Sequence, residues 1–543
     1  MRYILLAFFF ISSVTYGQKL KKADRAILNN FKTTVTHLAD DKYEGRRTGT
    51  LGEKLAAEFI SGEFKKVGLA PKGDANSYLQ AFEINEGKEI LPSTYLVING
   101  DSLKTGSDFF PLIFSANGTV NAFASPAIHE SNTPWFLDIN DLIEKNAGNP
   151  HYDLLDGIKN SAVEYMAKGA NALIVYNSGN TDAGIKFDGK SKIAAIKIPV
   201  IFIDKKIAAK YLEEKTADLE IKLATAIGDK KRNGSNVVGF IDNNAANTIV
   251  LGAHYDHLGY GEDHNSLWTG GAQIHNGADD NASGVATILE LAKMLKNSKL
   301  KNNNYLFIAF SGEELGLFGS KYFTENATIP VERINYMINC DMVGRLNEQT
   351  KSITVGGYGT SPIWGQILPE KTKTLNVKFD SSGMGPSDHT SFYIKNIPVL
   401  FFFTGTHQDY HKPSDDADKI NHTGGLHIIK YIYDVVKNTN DQQKLAFAKT
   451  REPQMTGARF TVSLGVMPDY TYSGTGLKID GVIDGRVADK AGLKTGDVVT
   501  QIGDFNITDI NAYMTALSKY KKGDSAKIKA QRGTEIIEVD IVF

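Results

Sequence analysis

At 543 residues the chain exceeds what one hydrophobic core can organise, and at roughly 150 residues per domain three to four domains are expected. Lys plus Arg number 60 against 62 Asp plus Glu; the net charge of −2 excludes a basic face over the whole molecule and argues against nucleic acid as a partner. A single cysteine, Cys340, permits neither an intramolecular disulfide nor a thiolate zinc cluster. At the start of the chain one Arg precedes a short apolar run over 3–11, followed by small and polar residues to Gly17. The run is too short to span a bilayer and predicts a signal peptide over 1–17, cut near Gly17 and Gln18. No later segment reaches the ~18 uninterrupted apolar residues of a membrane span. The mature chain is therefore expected to be exported, to the periplasm or beyond the cell, without a membrane anchor.

Within 38–82, Leu55, Ala56, Phe59, Ile60, Phe64 and Val67 recur at helical spacing, and Gly68 with Pro71 ends that helix. Over 110–220 the texture becomes strand-like, as in 172–176 and 199–203, and holds no carboxylate–histidine grouping at ligand spacing. From 235 to 437 short apolar runs at 249–253, 305–310, 334–339, 353–355 and 398–403 alternate with loops and helices. One such helix shows an apolar face of Val285, Ile288, Leu289, Ala292 and Leu295. This alternation predicts an α/β fold, a mixed and mostly parallel sheet sandwiched by helices. A polar linker follows over 441–455, and the Gly-rich residues 456–543 read as a small β-rich domain.

Nine of the twelve histidines fall between His254 and His427, in the α/β segment. There, ligand-type residues gather just after the predicted strands: His254 and Asp256, Glu313 and Glu314, Asp341, and Tyr410 with His411. Asp279 and Asp280 open a helix. In an open α/β sheet ligands bind beyond the carboxyl ends of the strands, so these residues are expected on one rim. Two imidazoles with three or more carboxylates suit Zn²⁺, Mn²⁺ or Co²⁺, and so many carboxylates call for two divalent ions to neutralise them. Of the adjacent pair Glu313 and Glu314, one is expected to bind metal and the other to take a proton from water. Neither HExxH nor GxSxG occurs, so thermolysin-like and serine-hydrolase mechanisms have no support.

The blocks AHYDHLG (253–259), NGADDNASG (276–284), SGEELGLFGS (311–320), NCDMVGR (339–345), SDHTSFY (387–393) and DYHKPSDDADKI (409–420) together resemble the co-catalytic di-zinc exopeptidases. That family includes bacterial aminopeptidases, glutaminyl cyclases and glutamate carboxypeptidases. LADDKYEGRRTGTLGEKLAAEFI (38–60) resembles the family's opening segment. The resemblance implies two Zn²⁺ per chain: His254 and Asp341 on one ion, Glu314 and His411 on the other, and Asp280 bridging, with Asp279 the weaker candidate. It implies Glu313 as general base, Asp256 as the group orienting the His254 ring, and Tyr410 as donor to a tetrahedral oxyanion. Asp388 and His389 are expected either to support the site or to form a structural hydrogen-bonded pair. Residues 110–220 resemble the protease-associated domain inserted in this family, dividing the peptidase into 18–109 and 221–440. The tail, with SLGVMPDY (463–470) and AGLKTGDVV (491–499), resembles a bacterial PDZ domain, with Val487 where Pro is usual. A PDZ groove would take an extended C-terminal peptide as an added strand. The expected activity is removal of N-terminal residues from peptides. A carboxypeptidase or dipeptidase of the same family, and a PDZ-based peptide-binding protein on a non-catalytic scaffold, stay open as alternatives.

Overall fold

The computed structural model describes residues 20–543 except 148, 150–151, 192, 264, 451–461, 469–473 and 483–484. The expected signal peptide, and part of the linker and of the 463–470 loop, lie outside the described residues. Among those described, no helix is long and apolar enough to cross a membrane.

The α/β region is organised by seven strands: β1 Ile227–Ile241, β2 Asn247–His254, β3 Asn303–Phe310, β4 Ile334–Cys340, β5 Ser352–Gly356, β6 Asn376–Phe379 and β7 Val399–Phe403. They lie in the spatial order β1-β3-β2-β4-β7-β5-β6, extended at the β1 edge by Ala70–Pro71 and Leu79–Ile90. The centre is parallel (β3 with β2, β2 with β4, β4 with β7), whereas β1 runs antiparallel to β3 and β5 antiparallel to β7. β3 and β4 are buried along their whole length, and β2 at every residue but Asn247, which is why they read as mainly apolar runs rather than alternating ones. Helices Leu51–Val67, Gly284–Lys296 and His422–Thr439 contribute to the same core. The first is bounded as its sequence dictates. The Thr50 hydroxyl accepts from the Glu53 amide, and Gly68 takes the left-handed conformation (φ 80°) that closes the last turn.

Register carries the functional consequence. His254 at the end of β2 lies beside Phe310 at the end of β3, and Cys340 at the end of β4 lies beside Phe402 in β7. All four central strands therefore finish at one level. The chain steps from β2 to β3 on one side, then crosses to β4 on the other, so a crevice opens beyond β2.

Glu83–Arg232 forms a second compact unit. It is wider than the expected 110–220 because Tyr95–Ile98 and Asp101–Leu103 belong to its first sheet, where Tyr95–Ile98 pairs with Leu219–Thr225. A second four-stranded sheet is built on the fully buried Ala172–Tyr176. At the C-terminus, six short strands and helix Ile510–Leu517 enclose Leu464, Leu477, Ile479, Val499, Ile528 and Ala530.

Candidate metal centre

The chain carries the predicted side chains to one place. Asp280 sits at its middle. Its Oδ1 is 3.3 Å from His254 Nε2, and its Oδ2 is 3.3 Å from His411 Nε2. His254 Nε2 is also 3.3 Å from Asp341 Oδ1, and His411 Nε2 is 3.2 Å from Glu314 Oε2. Donors held by a tetrahedral ion with bonds of about 2.1 Å are separated by about 3.4 Å, close to the four His–carboxylate separations of 3.2 to 3.3 Å found here. Among the described residues, the donor groups close enough to share an ion are His254, Asp280 and Asp341, and His257, Asp280 and Glu314; His411 stands beside the second group, within 3.3 Å of Asp280 and Glu314.

Electrostatics makes the same demand for positive charge. Burial alone would lower both imidazoles, yet Asp341 and Glu313 hold His254, and Glu314 and Asp280 hold His411, well above the ordinary histidine value. Burial would raise Asp280, but His257, His254 and His411 pull it well below the carboxylate range. The two adjacent glutamates are driven apart. Glu314, against the pull of burial, is brought to about 2 by His411 and His257. Glu313 is pushed well above its ordinary value by burial together with Glu314, Asp341 and Asp388. One is an anion suited to a cation, the other a carboxyl suited to carrying a proton.

Loops rather than strands hold Asp280. Gly277, with φ of 54°, turns the chain where a Cβ would collide with the Asp280 carbonyl and the His257 ring. The Asn281 amide donates to the Cys340 carbonyl (2.9 Å), and its oxygen accepts from the Gly284 and Met342 amides. Asp280 is thereby tied to the strand end that carries Asp341. At Gly284 a Cβ would strike the Cys340 carbonyl, so the Gly lets the helix start against β4. Cys340 itself is buried packing, its thiol raised by burial. Asp341 Oδ2 accepts from the Ser387 hydroxyl (2.8 Å), which in turn accepts from the Asn339 amide (2.7 Å). Asp279 points elsewhere. Its carboxylate takes the Gly344 amide, the Ser283 hydroxyl and His407, leaving it outside the donor groups.

Two expectations need adjustment. The Asp256 carboxylate was expected to orient the His254 ring, but it lies 3.7 Å from Nδ1, and the nearer acceptor is the Asp256 carbonyl at 3.1 Å. The carboxylate instead accepts the Glu313 and Glu314 amides and the Thr48 hydroxyl, fixing the backbone of the glutamate pair. Asp388 and His389 are separate features rather than a bonded pair. Burial pushes Asp388 up to about 7 against the pull of His254, while His389, brought down to about 3 by burial, stacks on Phe401. Tyr410 stacks on His411 with ring centroids 3.9 Å apart. Burial and the surrounding carboxylates raise its phenol well above the usual value, keeping it a donor.

Some site residues escaped the sequence reading. His257, three positions after His254 in AHYDHLG, bonds Glu314 Oε1 through Nδ1 at 2.8 Å. Arg46 is fully buried and donates to the carbonyls of Leu38, Tyr255, Asn276 and Gly277, clasping both ligand loops. Glu53 accepts from Ser311, Tyr255 and the amides of Gly49 and Ser235 beneath the glutamate loop. The available signal was the pair of adjacent arginines and the invitingly placed Glu in GRRTGTLGE, an unusual density of charge for a segment leading into an apolar helix.

Known proteins resemble the chain in the same regions. Residues 236–436 match peptidase family M28, and residues 455–542 match the PDZ domain. Aminopeptidase YwaD of Bacillus subtilis is 27% identical over 290 residues, 50% of this chain and 58% of that protein. Leupeptin-inactivating enzyme 1 of Streptomyces exfoliatus is 32% identical over 174 residues, 30% of this chain and 38% of that protein. The chain thus spans less than two thirds of the length of each of these relatives. A solved zinc aminopeptidase from Bacillus subtilis aligns over 77% of this chain and 95% of its own at 20% identity, with a TM-score of 0.42. Its overlay is loose, and the sheet order and the donor distances stand without it. Residues 236–436 are thus similar to peptidase family M28, and residues 455–542 to the PDZ domain.

Proposed function

We propose that the chain is an exported aminopeptidase working with two zinc ions, and that Glu313 is its general base. The observation that carries this reading is Asp280, whose two oxygens face His254 on one side and His411 on the other. That is the arrangement a carboxylate needs to be shared by two cations. Zinc held there would supply Lewis-acid polarisation of the scissile carbonyl and make water more acidic. Glu313, a carboxyl of raised pKa beside the ligand Glu314, takes the proton of the attacking water and passes it to the leaving amine. Tyr410, protonated and packed on His411, donates to the oxyanion as it forms. Asp256 holds the Glu313 amide, so the base is presented from a fixed backbone. Relatives named as aminopeptidases favour cleavage at a free N-terminus. The resemblance of 110–220 to a protease-associated domain would give that segment a role in steering substrate, and the PDZ domain would grip a peptide C-terminus.

Glu313→Gln tests the base. The expected result is unchanged zinc content with turnover lowered by about 10² to 10⁴; unchanged turnover would refute the assignment. The companion assay is a peptide panel with free and blocked termini, with and without a zinc chelator. Hydrolysis of N-blocked but not C-blocked peptides would turn the reading to a carboxypeptidase. Well under one zinc per chain with no hydrolysis would turn it to a binding protein.

A further inference from the structure

We propose that His257 is a positioning residue that withholds one oxygen of Glu314 from the second metal position. The inference rests on the two-ion reading above. The two oxygens of Glu314 meet different imidazoles: Oε1 is 2.8 Å from His257 Nδ1, and Oε2 is 3.2 Å from His411 Nε2. A carboxylate with both oxygens free can grip one cation through both. Here a proton on His257 Nδ1 satisfies Oε1 and leaves Oε2 to the ion. Second-layer hydrogen bonds of this kind fix the orientation of a metal-binding carboxylate.

Ring placement is built in from several directions. His257 is almost wholly buried. Its backbone amide donates to the Arg46 carbonyl (3.3 Å), within the same clasp that holds the ligand loops. Gly277 lies against the ring, where any Cβ would collide with Cδ2 and Cγ. The His411 ring stands edge-on at 5.8 Å between centroids. Among the described residues Nε2 is buried without a hydrogen-bond partner, as befits the unprotonated nitrogen of the tautomer that carries its proton on Nδ1. The rival arrangement makes His257 a ligand in its own right, since Nδ1 also lies 3.8 Å from Asp280 Oδ2. The shorter 2.8 Å contact is of hydrogen-bond length and favours donation to Glu314.

The test compares full-length wild type, His257→Ala and His257→Asn. Asn retains an N–H near the Nδ1 position. Stepwise zinc binding is followed by calorimetry, and the cobalt-substituted proteins by visible absorption. Wild type should take up two ions. In H257A the second step should weaken by about 10- to 100-fold while the first stays within about twofold. H257N should recover most of the second step with a wild-type cobalt spectrum, and urea unfolding of the metal-free proteins should be alike. Two steps unchanged in H257A would overturn the proposal. So would equal loss of the second ion in both variants with an altered cobalt spectrum in H257N, which would make His257 a ligand. A wild type that binds a single ion would overturn the two-ion reading and this proposal with it.

Discussion

Replacing Arg46 with Met should loosen the metal centre from a distance. The guanidinium donates at 2.7 Å to the Tyr255 carbonyl, between His254 and Asp256, and at 2.6 and 3.0 Å to Asn276 and Gly277, which lead into Asp280. A fourth bond, at 2.7 Å, reaches the Leu38 carbonyl. Three of these four bonds are wholly buried. Met fills similar volume but leaves those carbonyls unpaired, at about 2 kcal/mol each or about 6 in all. Against this stands the relief of a buried charge. Burial, partly offset by Asp280 and Asp256, brings Arg46 from 12.5 to about 10, which represents about 3 kcal/mol. The net loss is therefore about 3 kcal/mol. A chain of several domains does not unfold in one step, so the measurement is hydrogen exchange of the 255–257 and 277–280 amides in metal-free protein, alongside zinc affinity. Faster exchange confined to these two segments, with weakened zinc binding, is expected. A stability loss under about 1 kcal/mol, or unchanged exchange there, would show that the clasp does not hold the ligand loops.

Two further substitutions probe the surroundings. Ser387→Ala removes the hydroxyl that bridges Asn339 to Asp341 and should weaken zinc at the His254 half-site by about 10- to 100-fold, leaving the His411 half-site unaffected; metal titration monitors both steps. His389→Phe keeps the stack on Phe401 and removes a base that burial holds at about 3. Below its unfolded value of 6.5 the native chain declines a proton that the unfolded chain accepts, so wild-type stability should fall with pH between 6.5 and about 3. Between pH 6.5 and 5 the wild type should lose about 2 kcal/mol more than H389F in the hydrogen-exchange protection of the 389–394 and 399–403 amides of metal-free protein. Parallel pH profiles would refute the buried neutral histidine.

The elements most legible in the sequence are those buried on both sides. β3 and β4 read as apolar runs because each of their residues is inside, and their expected ends lie within two positions of the observed ones. The five metal-binding candidates were legible for a related reason: His254 and Asp341 are the residues at which strands stop, where apolar pattern gives way to polar. What stayed hidden was the support beneath them. Arg46, Thr48 and Glu53 lie some 200 residues before the loops they bond, and no local periodicity announces a long-range hydrogen bond. The unit over 83–232 is held together by similarly distant pairing. Tyr95–Ile98 is a short strand whose partner, Leu219–Thr225, follows more than a hundred residues later.

The same separation explains why the opening segment packs against the site rather than elsewhere. Four carboxylates meet at a rim to which the strands bring the His254 side chain and the backbone groups at their ends. Their loops must be fixed by donors before any cation arrives. Arg46 meets that need with carbonyls as acceptors, sparing the site's carboxylates, and Thr48 donates to Asp256, which then holds the amides of Glu313 and Glu314. Each step moves the constraint one group nearer the reacting centre without placing a fixed positive side chain where zinc would sit. The geometry is thus set by neutral and peripheral hydrogen bonds, and the charge deficit at the centre is left for the metal to fill.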